Sequence, residues 1–118
     1  MKNVEAAYKD ALDYLYSFVD FSLQKLVTYS PARFKLERMQ ALVASMDNPQ
    51  QAYPSIHVAG TKGKGSVCIF CASALHAAGY KVGLYTSPHL DDYAERIQIN
   101  GEFIPHTDLV RMVEIIKP

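Results

Sequence analysis

The sequence predicts an α/β fold, a parallel sheet of the phosphate-loop type with flanking helices. Three observations lead to it. A glycine-rich stretch, Gly60 to Gly65, stands between a short apolar run and a helical one. The strand–helix–strand order around that stretch implies a right-handed crossover and a parallel pair. Farther on, Asn100-Gly101 separates two alternating runs, the strongest two-residue hairpin signal.

The first element is a helix over about residues 3–19. Val4, Ala7, Tyr8, Ala11, Leu12, Leu15, Phe18 and Val19 form one stripe at helical spacing. Turn formers follow at Thr28-Tyr29-Ser30-Pro31. A second helix is predicted over about residues 34–46, with Leu36, Met39, Leu42, Val43 and Met46 on its buried face. Asn48-Pro49 ends it, because proline cannot continue a helix and restricts the residue before it. Residues 56–59 read as a short strand leading into the glycine-rich loop. A third helix runs from about Ser66 to Ala78 and stops at Gly79, a left-handed C-terminal cap. Residues 81–86 read as the strand parallel to 56–59, and residues 96–99 and 102–104 as the arms of the hairpin. A last helix begins near Thr107 as N-cap. Two parallel strands and a hairpin make a small sheet, so the 118 residues are expected to be a truncated part of a larger catalytic domain.

Composition narrows the function. Hydrophobic residues make up 49% of the chain and charged ones 20%, which suits a globular core. Twelve basic residues balance twelve acidic ones. That balance argues against a nucleic-acid binder and against a polybasic membrane anchor. The most apolar stretch, residues 67–78, is too short and too polar to span a bilayer. The N-terminus carries Glu5, Lys9, Asp10 and Asp13 rather than an unbroken apolar run, so it does not read as a signal peptide and a cytoplasmic location is expected. Two cysteines cannot build a disulfide framework.

The chemistry concentrates at Gly60-Thr61-Lys62-Gly63-Lys64-Gly65-Ser66. A strand, a glycine loop and a helix N-terminus form a phosphate cradle: glycines let the backbone approach the ligand, and amides and helix dipole face the anion. Lys64 would reach the terminal phosphates of ATP as a point charge. The loop departs from the common G-x-x-x-x-G-K-[ST] spacing. Gly60 lies too near Gly63, and Gly65 replaces the hydroxyl after the lysine. The competing reading is a tight turn using glycine for geometry alone. Three glycines, two lysines and a hydroxyl at each end exceed what a turn needs, and lysines beside a helix N-terminus are unfavourable without an anion.

At this loop the sequence resembles the folylpolyglutamate/dihydrofolate synthases of the Mur ligase superfamily, which carry Gly-Thr-Asn-Gly-Lys-Gly-Ser/Thr here. Leu36-Glu37-Arg38-Met39 and Asn48-Pro49 match upstream. Residues 78–90, ending in Thr86-Ser87-Pro88-His89-Leu90, and residues 95–102, beginning Glu95-Arg96-Ile97, match downstream. The resemblance covers about residues 30–116 and implies a Mur-ligase-like ATPase domain. Residues 1–118 would be the N-terminal part of it, with a C-terminal glutamate-ligase domain outside the chain. It implies ATP and Mg2+ as cofactors, and folate or dihydropteroate and L-glutamate as substrates. A folate carboxylate would be phosphorylated, and the amine of glutamate would attack the acyl phosphate.

The resemblance also implies site residues. ATP would be bound by Gly60, Thr61, Lys62, Gly63, Lys64, Gly65 and Ser66, with Lys64 catalytic. Lys62 stands where the family has Asn, and it is either an added phosphate contact or a solvent-facing variant. Ser87 and Ser66 would offer hydroxyls to the metal, Ser87 having a capping or turn role as its other reading. Pro31, Ala32, Arg33 and Phe34 would contribute to the pterin site, Phe34 by stacking and Arg33 by meeting a carboxylate; the alternative is a loop leading into a helix with a core Phe. His89 follows Ser-Pro and could touch substrate or phosphate. The runner-up function is a standalone nucleotide- or phosphate-binding module without ligase activity, and a third reading is an interaction role with no ligand. The chain alone is expected to be inactive and prone to self-association.

The remaining features are read as structural. Cys68 and Cys71 have redox-motif spacing but lie within the third helix with no second ligand pair. His57 and His76 read as packing or surface residues, and His106 as exposed. The tyrosines receive no role.

Overall fold

The computed structural model describes residues 3–23 and 36–117. The chain divides into two compact units, one of residues up to Val19 together with Val58 onward, the other of Asp20 to His57.

The first unit is mixed α/β. Helix α1 (Val4–Leu23) begins it. Helix α3 (Lys64–Ala77) follows the glycine loop and packs on strand β1 (Gly83–Tyr85). A 3₁₀ turn (Tyr93–Arg96) leads into strands β2 (Ile97–Ile99) and β3 (Glu102–Phe103), and helix α4 (His106–Ile116) closes the unit. α3 starts two residues earlier than expected because Gly65 is accommodated in its first turn, and α4 starts after Pro105 as N-cap rather than Thr107. α3 ends as the sequence predicts. Gly79 takes a φ of 92°, its N–H donates to the His76 carbonyl at 2.9 Å, and the Tyr80 N–H donates to the Leu75 carbonyl at 3.1 Å. This double bond pattern is the Schellman motif.

The sheet differs from the expectation. It has three strands in the order β1-β2-β3, all antiparallel. β1 pairs with β2 through Gly83↔Ile99, Leu84↔Gln98 and Tyr85↔Ile97. Residues 56–59 form no strand, Ile56 is exposed, and the expected parallel pair is absent among the described residues. The hairpin accounts for the antiparallel pairing of β1 with β2, while the other edge of β1 has no partner strand among the described residues. Asn100 and Gly101 adopt φ of 51° and 81°, as the tight primed turn requires, so β2 and β3 form at little loop cost. They then offer β1 an antiparallel ladder, the slightly stronger kind per residue. Asn100 also fixes the register: its side-chain oxygen accepts from the Val82 N–H and its own N–H donates to the Val82 carbonyl, both at 2.8 Å.

The core lies between α1, the 3₁₀ turn and α4. Tyr8, Ala94, Ile104 and Leu109 are buried together, with Leu12, Tyr93, Ile97, Val110 and Met112 against them. α4 gives Leu109 to this cluster and also buries Val113, and α1 presents Tyr8 and Ala11 as buried residues.

The second unit contains α2 (Leu36–Ala44) and a 3₁₀ turn (Pro49–Gln51). α2 ends where Asn48-Pro49 predicts, with Asp47 and Asn48 at positive φ and the Asn48 N–H on the Val43 carbonyl at 2.8 Å. Its apolar stripe is not buried. Leu36, Met39 and Leu42 are exposed and Val43 and Met46 half-buried, because no described element covers them.

Candidate functional site

The glycine loop turns into α3 abruptly. Gly63, at φ 76° and ψ 1°, is the N-cap, a left-handed position that glycine adopts without a Cβ penalty. No side chain caps the helix there, and no acidic residue lies in its first turn. The first helical bond runs from the Val67 N–H to the Gly63 carbonyl at 3.0 Å, so the amides of Lys64, Gly65 and Ser66 have no partner within the helix. The Lys64 ammonium folds back and donates to the Gly60 carbonyl at 2.7 Å. Gly60, Thr61, Lys62, Gly63, Gly65 and Ser66 are all exposed. A Cβ added at Gly63 or Gly65 would meet no atom within 4 Å. The arrangement is thus a rim of uncapped amides and two lysines, open to solvent at a helix N-terminus.

A second loop starts where β1 ends. Thr86 donates its N–H to the Arg96 carbonyl at 2.9 Å, and Ser87 follows, exposed and joined to Pro88 by a cis bond. His89 is half-buried. Its Nδ1 accepts from Arg96 Nε at 2.7 Å, and the Arg96 guanidinium lies 4.8 Å above the Tyr93 ring. With Nδ1 accepting, a neutral His89 carries its proton on Nε2.

Sequence reasoning missed what shapes this loop. Glu95 accepts from three amides: Leu90 N–H at 3.0 Å on Oε2, and Asp91 and Asp92 N–H at 2.9 Å and 2.8 Å on Oε1. Asp92 in turn accepts from the Ala94 N–H at 3.3 Å, completing a capping box at the 3₁₀ turn. The hydrogen bonds from Leu90, Asp92 and Asp91 hold the Glu95 carboxyl below the usual carboxylate range. The Asp-x-x-Glu spacing of Asp92 and Glu95 is the sequence signal that finds this device.

Of the other expected site residues, Pro31, Ala32, Arg33 and Phe34 lie outside the described residues. Cys68 and Cys71 are half-buried free thiols on α3. Among the described residues no group of His, Cys, Asp and Glu is arranged to hold a metal, and no helix is long and apolar enough to cross a membrane. A groove of about 260 Å³ between α3 and the sheet, lined by Ile69, His76, Leu84 and Gln98 among others, includes none of the glycine-loop residues.

The magnesium expectation can be tested against the donors present. Ser66 and Ser87 are exposed hydroxyls, oxygen donors of the kind a hard cation takes, but magnesium wants about six oxygens in near-octahedral array and keeps several as water. The donor type fits, and an acidic ligand would have to come from elsewhere.

A scan against protein-family models finds no match. The chain is 36% identical to a dihydrofolate synthase/folylpolyglutamate synthase of Bacillus subtilis over 112 residues, 95% of this chain and 24% of the relative. It superposes on the crystal structure of folylpolyglutamate synthase from Thermotoga maritima with a TM-score of 0.80 at 37% identity, covering 97% of this chain and 24% of that one. It also matches a folylpolyglutamate synthase solved as a complex with AMPPCP and folate, with a TM-score of 0.76 at 35% identity over 92% of this chain and 24% of that one. The chain therefore spans about a quarter of the length of the proteins it matches.

Proposed function

The chain is homologous to the folylpolyglutamate/dihydrofolate synthases over nearly its whole length, and from that premise we propose that it is the N-terminal, ATP-binding portion of a ligase that adds glutamate to folate. The observation that carries the proposal is the joint match of sequence and fold across 97% of the chain. The solved relative bound to AMPPCP and folate supports both substrates. In this reading residues 1–118 belong to the ATP-binding domain and the glutamate-ligase domain lies beyond them. A cytoplasmic location belongs to the same reading.

Chemically, a carboxylate is a poor electrophile until one oxygen takes the γ-phosphoryl group of ATP and ADP departs. The glutamate amine then attacks the acyl carbon, the C–O bond to phosphate breaks, and the amine proton goes to solvent. The chain's part is to bind and position the phosphates. The amides of Lys64, Gly65 and Ser66 face the anion and Lys64 exchanges its Gly60 carbonyl for a phosphate oxygen. Gly65 supports this role. Its place in a helix costs up to about 1 kcal/mol relative to alanine, and no neighbour within 4 Å explains it, so a ligand approaching the bare backbone accounts for it. Magnesium, when bound, would neutralise charge on the phosphates, with Ser87 and Ser66 as its hydroxyl donors from this chain. His89, with its proton on Nε2, would donate to substrate. Pro31, Ala32, Arg33 and Phe34 would meet the pterin.

The experiment is phosphate release from the full-length protein, expected to require folate and glutamate together. Nucleotide binding without folate- and glutamate-dependent turnover would instead assign a nucleotide-binding module. In the same protein Ser87→Ala should raise the magnesium requirement more than the Michaelis constant for folate; the reverse pattern would move Ser87 to the substrate.

The isolated chain should also self-associate. Val67, Ile69 and Phe70 are exposed along α3, Leu90 is 98% exposed, and the net charge is zero. Exposed apolar surface without charge repulsion favours association. Sedimentation should give a species heavier than a monomer, and a strictly monomeric chain would overturn this.

A further inference from the structure

One cluster of titratable groups has no part in the phosphate chemistry. His106, the first residue of α4, stacks on Tyr8 of α1 with ring centroids 3.7 Å apart and planes 4° from parallel. Its Nε2 lies 2.6 Å from Asp92 Oδ2 and its Nδ1 lies 3.2 Å from Glu5 Oε1. A neutral imidazole has one N–H, and here it would set a lone pair against a carboxylate oxygen. Only the imidazolium donates at both ends. The other Asp92 oxygen accepts from the Tyr8 hydroxyl, which in turn accepts from the Ala94 N–H at 3.2 Å. The four side chains therefore join α1, the turn before the 3₁₀ segment and α4 at the edge of the core.

We propose that His106 is a proton-operated clasp, fastening the start of α1 to the Asp92 turn and α4 while its ring is doubly protonated and loosening that seam when the proton leaves. The groups facing it are Glu5 and Tyr8 from α1 and Asp92 from the turn. On its own helix Asp108 is paired with Arg111 at 3.4 Å. Lys81, Glu102, Asp108 and His76 line a separate groove that does not include His106.

The electrostatics agree in sign. The hydrogen bond to Asp92, opposed by burial and helped by the bond to Glu5, raises the His106 pKa above its ordinary 6.5. A raised folded-state pKa gives stability that is fully present below 6.5 and lost as pH rises through the raised value. For Asp92 burial alone would raise the pKa, but the bonds from Tyr8, His106 and the Ala94 N–H outweigh it and hold the carboxyl below its ordinary 3.8. That contribution is present above 3.8 and lost as pH falls through the depressed value. The clasp is thus fully closed between those two ordinary values, and His106 is the first group to open it as pH rises; Tyr8, whose hydroxyl is pushed above its ordinary 10 by burial and by its bond to Asp92, follows only above pH 10.

The test is an NMR titration of the four histidine rings in the full chain, assigned with His106→Gln. It is paired with urea unfolding midpoints from pH 5.5 to 8.5. His106 should titrate above 6.5, and the unfolding midpoint should fall as pH passes that titration and stay flatter over the same step in His106→Gln. Glu5 is exposed, with 68% of its side-chain surface open, so Glu5→Gln leaves the core untouched and should bring the His106 midpoint down toward 6.5. A His106 titration at or below 6.5, a midpoint unmoved in Glu5→Gln, or an equal fall in stability in His106→Gln would overturn the proposal.

Discussion

Replacing Lys64 by alanine should weaken ATP binding about ten- to a hundredfold in the full-length protein. A charge-assisted hydrogen bond to phosphate contributes roughly 1.5–3 kcal/mol, and each 1.4 kcal/mol is about a factor of ten in affinity. The expectation rests on the loop's geometry. Lys64 is the first residue of α3, its ammonium already lies over the loop at the Gly60 carbonyl, and the amides beside it have no helical partner. The substitution removes an exposed side chain, so the folded state should survive it, and unchanged thermal unfolding is the control. Lys64→Arg should recover only part of the loss, because a planar fork does not reproduce a compact ammonium. Calorimetry that finds the same affinity in Lys64→Ala would remove the loop from phosphate binding altogether.

The second large effect is on stability. Leu109→Ala should cost about 2–5 kcal/mol, the range for emptying a buried leucine site. Leu109 is 2% exposed and shares one cluster with Tyr8, Ala94 and Ile104. Few other side chains are available to close over the hole, since only six apolar residues are buried among those described. A loss of that size is a large part of the 5–15 kcal/mol that typically holds a domain folded. Leu36→Ala is the comparison. Leu36 is 67% exposed on α2, and its loss should move stability by no more than about 0.5 kcal/mol. Equal urea midpoints for the two variants would mean that the α1–α4 cluster is not the core.

Local chemistry was legible in the sequence. Gly79 ends α3, Asn48-Pro49 ends α2, and Asn100-Gly101 closes the hairpin, because each follows from the φ and hydrogen-bonding needs of a few neighbouring residues. What depended on distant partners was not. Residues 56–59 look like a strand by composition, but a strand forms only where a partner ladder holds it, and no described strand pairs with them. The α2 stripe was read from its period, yet a period states which residues share a face and not whether anything covers it. His106 was expected in solvent and instead stacks on Tyr8, 98 positions earlier in the chain; no spacing rule connects such residues. The candidate phosphate loop was legible as a motif, whereas beside His89 the Glu95 device was signalled only by the Asp92–Glu95 spacing and the Arg96 bond to His89 by no spacing at all.

The three amides gathered by Glu95 have a consequence for how this protein can vary. The path of the chain from Leu90 to Asp92 is held by main-chain donors on one carboxylate, so the side chains of Leu90 and Asp91 are not what encodes its shape, whereas that of Asp92 caps the 3₁₀ turn. Leu90, at 98% exposed, is at liberty to change in character while the curve persists. A designer could rewrite Leu90 and Asp91 to alter the loop's surface, and natural drift could do the same, so long as Glu95 stays an acid and no proline removes one of its donors. The surface of this loop can therefore change without refolding it.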